Sequence, residues 1–140
     1  MIWEDTYACG HQLIDAQHQR LFRLASALMS TLTENRALSE VALRLETLLA
    51  HTAQHFHDEE ALLRNAGYHD LSDHAAIHAS LLSRAWKLQA DVQAGQLDFG
   101  RLVSFLALDL VKGHILTEDR GYFSHLMATL EPEGMPQAGA

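Results

Sequence analysis

Four short stretches of this chain put metal-ligating side chains where a helix should be apolar. His55 and Glu59 lie one helical turn apart in HFHDEE, and His74 and His78 one turn apart in HAAIH. His18 closes DAQH, and His114 opens HILTED. Polar groups of this kind are costly to bury unless something binds them. An i,i+4 pair on a buried stripe presents two lone pairs from consecutive turns, the spacing that clamps one ion. Imidazole and carboxylate suit iron, and with Cys9 as the sole cysteine a structural Cys-type zinc site is disfavoured. Residue types alone leave zinc and manganese open.

Something must bring these groups together, and the apolar pattern says what. Residues 11 to 130 contain no proline, and apolar residues recur at helical rather than strand spacing. Four helices are expected. The first spans about 12 to 34. The second runs from near Ser39, a candidate N-cap, to before Gly67; the third from Asp70–Ser72 to before Gly95; the fourth from after Asp98 to near Leu130. Short connections favour an all-α, up-down-up-down four-helix bundle with an N-terminal arm. Taking about 3.6 residues per turn, His18 shares a stripe with Ile14, Leu21/Phe22, Ala25, Leu28/Met29 and Leu32. His55 shares one with Val41, Leu45, Leu48, Glu59 and Leu62. His74 shares one with Ile77/His78, Leu81, Ala85, Leu88 and Val92, and His114 with Phe99, Val103, Leu106/Ala107 and Leu110. Each helix therefore aims at least one histidine at the core.

The fourth helix carries a phase slip. Upstream of His114 its stripe is regular, but downstream the apolar residues are Tyr122/Phe123, Leu126 and Leu130, which extrapolate back to Asp119. A straight helix would pair His114 with Glu118. A π-bulge or distorted turn between His114 and Asp119 would let both of these face inward, and the phase favours Asp119.

Bulk properties bound the remaining classes. A chain of 140 residues holds one well-buried core, and 48% hydrophobic with 20% charged residues is globular. A net charge of −8 argues against nucleic acid or an anionic membrane as partner. A single cysteine suits a reducing compartment, MIWEDTYACG lacks the marks of a signal peptide, and no stretch approaches the ~18 apolar residues of a membrane span. A cytoplasmic protein without membrane insertion is expected. Residues 1–130 read as one domain and 131–140, EPEGMPQAGA, as a flexible tail or linker.

The set His18, His55-x3-Glu59, His74-x3-His78 and His114-x4-Asp119 resembles the ligand pattern of hemerythrins, the oxygen-binding non-haem di-iron family. WEDTYACGHQLIDAQH is similar to the bacteriohemerythrin start through Trp3, Tyr7, Gly10, Ile14-Asp15 and Gln17-His18. HFHDEE is similar to the family's HF-x-x-EE, HAAIH to its H-x3-H, and HILTED to its HI-x3-D, so the likeness covers residues 3 to about 127. The resemblance implies two iron ions per chain. One would be held by His74, His78 and His114 and the other by His18 and His55, with Glu59, Asp119 and an oxo or hydroxo group bridging them. Three histidines and three bridges close the first iron at six ligands; two histidines leave the second one open position, for dioxygen. Ile14, Phe22, His51, Phe56, Leu110 and Ile115 would surround the site.

Two departures bear on function. Leu110 stands four residues before His114, where the family frequently has tryptophan, and His51 stands where it often has an aromatic residue. The domain itself is expected to bind rather than catalyse. An oxygen or redox sensor acting on an attached or partner output domain, such as a diguanylate cyclase or chemoreceptor, is the preferred implication. A bacterial oxygen carrier or store is the alternative. A di-iron oxidase or peroxidase ranks last, because no second polar constellation offers a substrate clamp.

Overall fold

Helical apolar spacing punctuated by glycine produces helices alone among the described residues. The computed structural model describes residues 3–34 and 37–118, the last four by backbone only. It contains α1 (Gln12–Thr33), α2 (Leu38–Asn65), α3 (Leu71–Gln93) and α4 (Phe99–Ser104), which runs directly into a π-wound segment, Phe105–Glu118. Helix α1 packs on α2 and α2 on α3, while the π-wound segment returns to both α3 and α1. That closes the expected four-helix bundle. Asp119, the Ile115 side chain, the run to Leu130 and the 131–140 tail fall outside the described residues.

Local chemistry sets the helix ends. The Asp15 carboxylate accepts the amides of Cys9 and Gly10 ahead of α1 at 2.8 and 3.0 Å, and His11 Nδ1 accepts the Ile14 amide at 3.4 Å and caps the helix. The N-terminal arm is tied down by the same contacts, and its Trp3 and Tyr7 rings rest on Phe22 with centroids 5.2 and 5.6 Å away. Helices α2 and α3 both end in Schellman turns. Gly67 and Gly95 adopt φ of 69° and 79°, and the amides of Tyr68 and Gln96 reach the carbonyls of Leu63 and Asp91 at 3.0 and 2.8 Å. Asp98 Oδ1 accepts the Arg101 amide at 3.1 Å and caps α4. The expected cap at Ser39 is not found. Helix α2 begins at Leu38 after Ala37, which makes no side-chain cap, and Leu38 packs against the core, so burial rather than capping sets this start.

The core stripes follow the heptad-like spacing in α1 to α3. Ile14, Leu21, Phe22, Ala25, Leu28, Val41, Leu45, Leu48, Leu81, Ala85 and Val92 are all buried. Each such side chain contributes roughly 1.5–3 kcal/mol where it is large and fully enclosed. Two buried threonines return their hydroxyls to their own helices, Thr31 to Ala27 O at 2.9 Å and Thr52 to Leu48 O at 2.8 Å, which removes the cost of burying them.

The fourth element departs from expectation. Wider winding is found, but it starts at Phe105 and fills the described segment to Glu118, and Asp119, the far end of the expected slip, lies outside the described residues. A bond closing to the fifth residue adds one residue per loop, so the face of His114 reaches back through Leu110 to Phe105 and Leu106. Those three are buried, as is Leu102, whereas Phe99 is half exposed and Val103 only partly covered.

Candidate metal centre

Four elements deliver six side chains to one interior point. His18 comes from α1, His55 and Glu59 from α2, His74 and His78 from α3, and His114 from the π-wound segment. All six are buried, none more than 5% exposed. They divide into two groups, Glu59/His74/His78/His114 and His18/His55/Glu59, and within each group the ligand atoms lie within 4.8 Å of one another. Asp119, the seventh residue expected here, lies outside the described residues.

Glu59 belongs to both groups, and its two oxygens are divided between them. Oε1 lies 2.6 Å from His74 Nε2 and 3.1 Å from His78 Nε2. Oε2 lies 3.0 Å from His55 Nε2 and 3.7 Å from His18 Nε2. The imidazoles also meet each other by Nε2, His18 with His55 at 3.1 Å and His78 with His114 at 2.9 Å. Burial pushes the Glu59 carboxyl upward, but contacts from His18, His55, His74 and His78 outweigh it and hold the group well below its usual value. Burial pulls the His114 imidazole down to about 2, so that ring stays neutral with a lone pair to give.

This donor set fits a pair of cations. His55 Nδ1 lies 2.7 Å from Gln17 Oε1 and His78 Nδ1 lies 2.7 Å from Glu60 Oε2. Each of these Nδ1 atoms carries a proton, so in the neutral ring each Nε2 is a bare lone pair. Both bare atoms face Glu59 oxygens, at 3.0 and 3.1 Å, contacts between lone pairs that repel unless positive charge lies between them. Protonating every ring instead would set buried imidazolium groups about 3 Å apart, which burial opposes.

The surrounding residues play different parts. Phe56 lies flat on the His78 ring, centroids 3.8 Å apart and planes at 2°, and stands edge-on to His114 at 5.0 Å. Leu110, one turn before His114, is wholly enclosed. Ile14 packs with Leu63 in a small cluster at the foot of α1, and Phe22 supports the arm. His51, expected either to support the cluster or to be a partly exposed polar residue, is partly exposed, with Nε2 3.2 Å from an Arg20 guanidinium nitrogen on the facing helix. Gln17 and Glu60, given no role on sequence grounds, are the residues that hold ligand rings. Their signal was position: each is polar and immediately adjacent to a buried candidate ligand. Half-burial of Cys9 raises its thiol to about 12, which makes it unreactive. A surface cleft of about 470 Å³ is lined by Arg84, Lys87, Arg101, Phe105 and Asp109 and by none of the cluster residues.

Residues 9–126 match the Hemerythrin HHE cation binding domain. The chain is 32% identical over 124 residues to Bacteriohemerythrin of Pseudomonas aeruginosa, covering 87% of this chain and 78% of that protein. It is 27% identical over 100 residues to Myohemerythrin of Riftia pachyptila, covering 71% and 78%. A solved wild-type hemerythrin superposes with a TM-score of 0.77 at 27% identity, covering 90% of this chain and 97% of that one.

Proposed function

This chain belongs to the hemerythrin family, and from that premise we propose that it binds dioxygen reversibly at a pair of non-haem irons. The observation that carries the proposal is the division of Glu59, one oxygen toward His74 and His78 and the other toward His18 and His55. A carboxylate so placed bridges two ions and partly neutralises both. On this reading His74, His78 and His114 hold one iron, His18 and His55 hold the other, and Asp119 is the second bridging carboxylate. The irons, when bound, supply the electrons that make dioxygen binding reversible. The protein supplies fixed lone pairs, with Gln17, Glu60 and Phe56 holding ring orientation.

The finer reading is that the domain senses oxygen or redox state for an attached or partner output domain. Leu110 supports it: a leucine at this enclosed position is smaller than the tryptophan frequent in the family, which favours access of solvent and faster oxidation. Binding, not turnover, is the activity of the domain itself. Metal analysis of the purified protein should give two irons per chain, with oxo-bridged ferric absorption in the near ultraviolet in air. One zinc per chain and no iron would end the proposal. Admitting oxygen to the reduced protein separates the uses: conversion to the ferric form within minutes fits a sensor, and persistence for hours fits a carrier or store.

A further inference from the structure

The two halves of the cluster are held from behind by chemically different groups. On the α3 side, the charged carboxylate of Glu60 accepts the His78 Nδ1 proton at 2.7 Å. On the α1 side the acceptor for His55 is the neutral carboxamide of Gln17, also at 2.7 Å. The orientation of that amide is not free. Gln17 Nε2 donates to Asp58 Oδ2 at 2.7 Å, and a carboxylate only accepts, so the amide oxygen must face the ring. Asp58 is itself steadied by Gln54, whose Nε2 donates to Oδ1 at 2.9 Å. A chain of partly exposed residues on α1 and α2 thus decides which nitrogen of a buried imidazole carries the proton.

We infer, resting on the di-iron reading above, that Gln17 keyed by Asp58 is a positioning residue for His55, and that its neutral amide, set against the Glu60 carboxylate at His78, makes the two metal positions unequal in strength. A hydrogen bond to a carboxylate is about twice as strong as one to a neutral acceptor. It pushes electron density through the ring toward Nε2 and strengthens that nitrogen as a donor. The His74/His78/His114 position is therefore the tighter one for a reason beyond its extra histidine, and the His18/His55 position is kept weaker by an amide where a carboxylate would fit.

The test is chelator-driven metal release from the protein loaded with iron as isolated and, separately, with Co²⁺. Wild type releases one ion in a fast phase and one in a slow phase. Gln17→Leu accelerates the fast phase by about ten- to a hundredfold and leaves the slow phase within about twofold. Asp58→Ala, a milder change at a partly exposed position, moves the same phase in the same direction. Glu60→Gln accelerates the slow phase alone. The pair Gln17→Glu with Asp58→Asn, which restores a donor–acceptor chain ending in a carboxylate, slows the fast phase below wild type. A merely structural role would speed both phases together; that result, a single shared phase in wild type, or a faster fast phase in the double variant overturns the inference alone. Uptake of fewer than two ions per chain overturns the di-iron reading along with it.

Discussion

Among the described residues Glu59 alone is shared by both histidine groups, so its charge cannot be removed from one position only. Glu59→Gln keeps size but turns one acceptor oxygen into a donor and loses the anion that offsets two ions. Metal content measured on the purified variant should fall from two ions to one or none per chain, and retention of two would contradict a bridging role. These groups were legible because they violated a pattern: His55, Glu59, His74 and His78 stand at positions whose neighbours one turn away are apolar. Gln17 and Glu60 were not legible as supports, because both sit at the margin of a buried stripe, where a polar residue breaks no rule. His51 carried two readings, a support for the cluster or a partly exposed polar residue. Its spacing from His55 is that of a partner, but Arg20 on the facing helix captures it.

At the scale of elements, the helix ends marked by Gly67 and Gly95 were readable because a left-handed turn favours glycine there. The start of α2 was not, since Leu38 is fixed by packing that no local signal announces. The π-wound segment was readable only in part. A shift in apolar phase records that the winding changes, but leucines at 102, 106 and 110 satisfy either winding, so the onset at Phe105 was hidden. Gly113 shows what the wider winding demands: a Cβ there would lie 2.7 Å from the Leu108 carbonyl oxygen, five residues back. Gly113→Ala should therefore destabilise the protein by roughly 1–3 kcal/mol. Urea unfolding measures this, and because residue 114 follows directly, the variant should also release metal faster. A variant as stable as wild type would show that the segment is wound otherwise.

For the molecule as a whole, the cluster makes folding and metal binding one equilibrium. Stripping the metal leaves converging lone pairs in a dry core, so the metal-free protein should melt well below the loaded form. An unchanged melting curve would contradict the assignment. Acid should act in the same direction. Burial holds His114 to about 2, while in the unfolded chain a histidine takes its proton near 6.5. The unfolded state thus binds more protons below that value, and the stability contributed by the neutral ring is full above it and lost as pH falls. The slope is at most about 1.4 kcal/mol per pH unit for this one group. Glu59, held below its usual value, adds a second loss at lower pH. Melting the metal-free protein between pH 7 and 5 checks the sign: a rising melting temperature on acidification would refute it. No helix among the described residues is long and apolar enough to cross a membrane.

The origins of the six side chains also order their assembly in time. His18, His55 and Glu59 are all in place once the chain has been made through α2, so a growing polypeptide could complete that trio as a helical hairpin. The quartet of Glu59, His74, His78 and His114 waits for the final helix. The order of the chain therefore presents the smaller group first and leaves the larger one to close the bundle, with Asp119, the second bridge on the di-iron reading, following later still.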